Sequence, residues 1–400
     1  MDSVKILQIK YNNLPFYQSG SFTYNLLATD RVASKSSVFP IQGSIYTQNL
    51  SAIVGINASG KTMALKLIHL AMSIVLNNAS LNSENLPGRQ LIHDGTELTI
   101  TFIYKAKCHQ LHATFGKTFH EKLKKEYLYY KEERLAAKPL NSIKTKKDAF
   151  DFSKVSDKSI VIRSQLPDTM RSILQDDDSI VITVTKNNTT VCENLLALND
   201  NNILITSGKM TGDSLHVFDP NLDEIVANKK TASDTTYKIT FKNQEAITLT
   251  SLQQLNNFIS SGTIKGQNII FLIRNALASG GYVIVDELEN HMNKEILHVL
   301  TSIFKDNRLN PFGACLIFST HYTEILDFID RKDSVYIARK SLETPTKLDF
   351  FNYSHSNDSL MRKIRNDIKK SDVFLSNYLG GTAPMYEDIK ALEAYLCHKE

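Results

Sequence analysis

The chain has 400 residues, 42% of them hydrophobic and 22% charged, with a formal net charge of +4. That composition excludes a disordered or collagen-like chain, and the length suffices for one large core or two to three smaller ones. The charge neither demands nor forbids a nucleic-acid partner, so its distribution carries more than its sum.

The four cysteines, Cys108, Cys192, Cys315 and Cys397, show no CxxC spacing and read as the reduced thiols of a cytosolic protein. The start, Met1-Asp2-Ser3-Val4-Lys5, carries an acid and no apolar run, and no stretch approaches 18 consecutive apolar residues. The expectation is a cytoplasmic chain with neither a secretory leader nor a membrane span.

Residues 4–10 and 21–28 alternate apolar and polar side chains, as half-buried antiparallel strands do. A Ser-, Gly- and Thr-rich loop over 30–48 leads to the apolar strand Leu50-Ser51-Ala52-Ile53-Val54. Directly after it stands Gly55-Ile56-Asn57-Ala58-Ser59-Gly60-Lys61-Thr62, the pattern of a phosphate-binding loop. Glycines at both ends let backbone N–H groups close around a polyphosphate, Lys61 adds a mobile positive charge, and the Thr62 hydroxyl suits a nucleotide's Mg²⁺. A helix over 63–79 then points its N-terminal dipole at the phosphates.

Glu97 to Tyr104 reads as a strongly alternating strand. From about 117 the composition turns basic, with ten Lys/Arg against four Asp/Glu over 117–147. Residues 119–127 read there as a charged helix. This segment is either a solvated face or a nucleic-acid contact with Tyr127, Tyr129 and Tyr130 available for stacking. Residues 148–233 mix short apolar pieces with Asn/Asp-rich loops, read as an inserted helical or mixed lid without the heptads of a coiled-coil arm. Strand patterns return at 236–241 and 246–250, where the core is expected to resume.

Tyr282-Val283-Ile284-Val285-Asp286-Glu287 is an apolar strand ending in two acids. Asp286 is placed to hold magnesium, and Glu287 to orient and polarise an attacking water. Ser260-Ser261-Gly262-Thr263 precedes it at the head of a helix over 266–279, and Phe318-Ser319-Thr320-His321 follows it. Singly, these pieces have plainer readings: Ser260-Ser261-Gly262 as a helix N-cap, His321 as a core histidine, Glu289-Asn290-His291 as a turn.

In that order the four motifs resemble ABC-type ATPases, and within them the stand-alone ATPases of bacterial defence and abortive-infection loci, related to the OLD family and more distantly to the SMC and RecF repair proteins. The likeness covers about 1–115 and 235–390 and includes Asp286-Glu287-Leu288-Glu289-Asn290, Ser319-Thr320-His321-Tyr322-Thr323-Glu324 and the ending Asn377 to Pro384.

The resemblance implies an α/β fold: an ABC-type P-loop ATPase head, with a mixed sheet, flanking helices and an antiparallel β subdomain. The head is discontinuous, 1–115 and 235–400, around an inserted basic helical or mixed subdomain at 116–234. It implies ATP and Mg²⁺ as cofactors. Gly55, Asn57, Ala58, Ser59, Gly60, Lys61 and Thr62 hold the nucleotide, Thr62 and Asp286 the metal, and Lys61, Glu287 and His321 serve catalysis, with His321 at the γ-phosphate. Ser260, Ser261 and Gly262 would complete the site of a second copy, giving a head-to-tail homodimer, or a higher oligomer, around two MgATP.

There are departures from the group. Met292-Asn293-Lys294 replaces the usual Leu-His-Pro or Leu-Asp step, Ile259 stands where the signature has Glu, and Gln110 is a weak counterpart of the glutamine loop. The stretch after His321 is too short and too poor in acid clusters for the TOPRIM nuclease of OLD proteins, so a nuclease or toxin effector is expected in a partner. The function expected is slow ATP hydrolysis controlling that effector in phage defence. The alternatives are a DNA-repair-type sensor acting through the basic arm and a non-hydrolysing nucleotide-bound scaffold. A transport motor fits less well, because the gap from Thr62 to Ser260 is long and its insert charged.

Overall fold

Strands that read as unbroken apolar runs are covered on both faces, and here they lie side by side in the middle of one sheet. In the computed structural model, which describes residues 3–120, 124–196, 208–229, 235–354, 369–376 and 386–397, this sheet comprises β5 (Leu50–Val54), β10 (Cys192–Leu195), β15 (Tyr282–Val285), β16 (Cys315–Thr320), β17 (Val335–Lys340) and β18 (Leu348–Asn352). Its order is β10-β15-β16-β5-β17-β18. The first five run parallel and β18 runs antiparallel to β17.

Period-two alternation splits these strands between two cores. Ile53, Tyr282, Ile284, Cys315 and Ile317 pack with the helix Lys61–Leu76 on one face. Ala52, Val54, Val283, Val285, Leu316 and Phe318 pack with the helices Ser261–Ser279 and Lys294–Lys305 on the other. The Lys61–Leu76 helix is buried nearly all round, as a helix between two layers must be. Its outer neighbour is an antiparallel sheet of β1 (Lys5–Asn12), β2 (Ser21–Asn25), β6 (Glu97–Tyr104), β7 (Lys107–His120), β8 (Lys125–Pro139) and β9 (Ile160–Ile162), in the order β2-β1-β6-β7-β8-β9. The chain is thus mixed α/β, with a mixed parallel and antiparallel sheet among several sheets.

Three expectations are corrected. Among the described residues of 119–127 there is no charged helix: 119–120 and 125–127 belong to β7 and β8, a long hairpin that extends the antiparallel sheet past residue 115. Leu128 and Tyr130 alternate inward while Lys125, Glu126, Lys131 and Glu132 on either side of them are exposed, which imitates a helix's polar face in composition though not in period. The strands at 236–241 and 246–250 do not rejoin the main sheets. As β13 (Thr235–Phe241) and β14 (Ile247–Leu249) they pair with β11 (Gly208–Thr211) and β12 (Leu222–Lys229) in a separate four-stranded sheet with its own core. The loop over 30–48 contains a small hairpin, β3 (Val38–Gln42) and β4 (Ile45–Gln48).

The four-stranded sheet rests on the start of the Ser261–Ser279 helix through Ile264, and Gln267 Nε2 donates to the Ser214 carbonyl at 2.7 Å. The tail motif Asn377 to Pro384 lies outside the described residues. Among the described residues, no helix is long and apolar enough to cross a membrane.

Candidate active site

The parallel register sets Val54 beside Thr320 and Val285 beside Phe318, so the residues following three neighbouring strands emerge at one edge. Open α/β sheets bind ligands at this carboxyl end. Gly55 to Thr62, Asp286 with Glu287, and His321, read from three separate motifs, meet there.

The glycine loop is close-packed. A Cβ at Gly55 would lie 2.2 Å from the Ala338 carbonyl oxygen, and Gly60, at φ +90, would set one 2.5 Å from Leu348 Cδ1. No other residue type fits both positions. The Lys61–Leu76 helix starts with no side-chain cap, which leaves its first N–H groups free for an anion. Among the described residues, Ser59 Oγ is buried without a hydrogen-bond partner. Lys61 Nζ donates to the Gly55 and Ile56 carbonyls at 3.0 and 2.9 Å and lies 3.2 Å from His321 Nδ1. Burial lowers Lys61 to about 8, against the pull of Asp286, Glu287 and Glu289.

The acids are held individually. Thr62 Oγ1 donates to Asp286 Oδ2 at 2.5 Å, and the fully buried Ser319 donates its hydroxyl to Asp286 Oδ1. The same Ser319 oxygen accepts from the Glu287 amide at 2.7 Å. His321 Nε2 lies 3.1 Å from Glu287 Oε1. An ammonium only donates, so Nδ1 facing Lys61 accepts and the ring hydrogen sits on Nε2, directed at Glu287. Burial would raise Glu287, but hydrogen bonds from His321 and Asn290 and the nearby Lys61 charge hold it below the usual carboxylate range. The buried Glu289 accepts from the His321 amide at 2.5 Å and fixes the strand end.

In front lies an open cleft of about 1010 Å³, lined by Asn57 to Thr62, Glu287 and His321 together with Phe16, Gln90, Leu91 and Leu348. Leu348 N donates to the Phe16 carbonyl at 2.9 Å, which ties the Phe16 backbone to β18, whose Leu348 approaches Gly60. Sequence reasoning missed Phe16, Gln90 and Leu348, because their approach to the glycine loop is purely tertiary. Gln110 is instead a β7 residue whose Nε2 donates to Thr101 Oγ1 at 3.4 Å.

Ser260, Ser261 and Gly262 are not among the residues that line the cleft. Ser260 Oγ accepts from Thr263 N at 3.1 Å, so the plainer N-cap reading is realised. Glu289-Asn290-His291 likewise forms part of a turn, with Asn290 N donating to the Glu287 carbonyl at 3.0 Å.

The uncapped helix start, the unpartnered Ser59 hydroxyl and the open cleft fit a polyphosphate, and a hydroxyl beside a carboxylate fits a hard divalent cation. No protein-family model matches the chain, and no curated protein matches it.

Proposed function

We propose that the chain is an ATP-binding, slowly hydrolysing ABC-type ATPase that pairs head-to-tail around two MgATP. One observation carries the reading: Lys61, Thr62, Asp286, Glu287 and His321 converge at the ends of three adjacent parallel strands. The loop amides and Lys61 bind the phosphates and stabilise charge on the transferring group. Thr62 and Asp286 would hold Mg²⁺, which supplies charge neutralisation at the phosphate oxygens. Glu287, kept ionised by its neighbours, orients and polarises the water. His321 sits between Lys61 and Glu287, where a γ-phosphate would meet both. Phe16, beside Leu348, offers the base an aromatic face.

Ser261 and Gly262 would serve a second copy, because they do not line their own cleft. Control of an effector protein in phage defence rests on motif likeness alone. The DNA-sensing alternative loses part of its platform: Tyr130 is buried against Phe115, and Lys117, Lys131, Lys138 and Lys146 are engaged within the chain.

Phosphate release from MgATP by wild type and Lys61→Ala tests the reading. Release that depends on Lys61 supports it. Nucleotide binding without release in wild type would favour the scaffold instead.

A further inference from the structure

Lys265 has no exposed surface and lies one turn into the Ser261–Ser279 helix. Its Nζ donates to the Glu287 carbonyl at 2.5 Å. A fully buried cation costs free energy unless its partners hold it, and apolar packing alone would be served there by a methionine.

Glu287 has φ +48, a region L side chains avoid and occupy only where neighbours over-determine it. Its amide is taken by Ser319, its carbonyl by Asn290 N and Lys265 Nζ, and its carboxylate by His321 Nε2 and Asn290 Nδ2. Ser319 and His321 come from the end of β16 and Asn290 from the same turn, whereas Lys265 ties in a helix. That helix meets the turn a second time: a Cβ at Gly262 would lie 2.2 Å from the His291 carbonyl oxygen, so the backbones touch.

We infer that Lys265 is a positioning residue for hydrolysis, its ammonium fixing the left-handed backbone of Glu287, and so the aim of its carboxylate, to the helix that begins at Ser261. The inference rests on the ATPase reading and deepens it. A load on the start of this helix reaches Glu287 through the buried Lys265 ammonium, and its turn through the Gly262 contact at His291.

The test compares wild type, Lys265→Met, Lys265→Gln, Glu287→Gln and the Lys265→Met/Glu287→Gln pair by kcat, KM, affinity for a fluorescent MgATP analogue, and amide exchange over 286–292. Lys265→Met is expected to lower kcat roughly ten- to a hundredfold, the effect of a small misplacement, with nucleotide affinity within about threefold of wild type. Exchange over 286–292 should quicken about tenfold while the Lys61–Leu76 helix stays protected. The double variant should be no slower than Glu287→Gln, because residues acting as a unit are not additive. Lys265→Gln, with a shorter neutral donor, should recover part of the rate, and it carries the comparison if the methionine variant does not fold. Wild-type kcat in the Lys265 variants, unchanged exchange, or an additive double loss would overturn the inference while leaving the ATPase reading intact. A wild-type chain that hydrolyses no ATP would overturn both.

Discussion

Thr62 Oγ1 donates to Asp286 Oδ2 across 2.5 Å, joining residues 224 positions apart. This is the contact at which the glycine-loop helix and the β15 strand end would share a cation. Removing the charge with Asp286→Asn should abolish the gain in ATP affinity that Mg²⁺ gives and cut hydrolysis by about a hundredfold or more. Affinity without Mg²⁺ should change little. Titration of nucleotide with and without Mg²⁺ checks this, and an undiminished Mg²⁺ effect in Asp286→Asn would remove Asp286 from the metal site.

Gly60 combines φ +90 with a close approach to Leu348. Gly60→Ala must strain the backbone or displace the β18 hairpin, at a cost of about 1–3 kcal/mol. The melting temperature should fall, and MgATP should no longer raise it. A variant as stable as wild type and still stabilised by nucleotide would mean that the loop conformation is not required.

Acid should weaken the fold before it reaches the carboxylates. Burial holds His69 and His109 at about 4, below their ordinary 6.5. Between those values the unfolded chain binds protons that the folded chain does not. Their stabilisation is complete above about pH 6.5 and is lost as pH falls through 4, by up to about 1.4 kcal/mol per unit for each histidine. Urea unfolding at pH 7.5, 5.5 and 4.5 measures the slope. His69→Gln, which keeps a partner for the Asn194 amide, should flatten its share.

The elements that build the site were legible because each has a local signature. The β5, β15 and β16 strands are apolar runs, and the residues following them carry motifs of fixed spacing. The β7–β8 hairpin was not, because its outward Lys and Glu imitate a helix, and only the alternation of Leu128 and Tyr130 separates the two. The four-stranded sheet was misjoined because short strands carry no mark of which sheet they enter. Lys265 and the role of Ser319 left no trace in the pattern: a buried polar residue looks like a surface one until its partners, Glu287 and Asp286, are folded against it.

Glu287 is the residue through which hydrolysis and pairing are proposed to be linked, so its removal should trap what turnover normally dissolves. The most direct measurement is the solution mass of Glu287→Gln with and without MgATP, beside Lys61→Ala. A shift from the 45.1 kDa protomer to twice that mass is expected in Glu287→Gln with MgATP, and none in Lys61→Ala. A mass that stays the same in every state would contradict the composite two-nucleotide dimer.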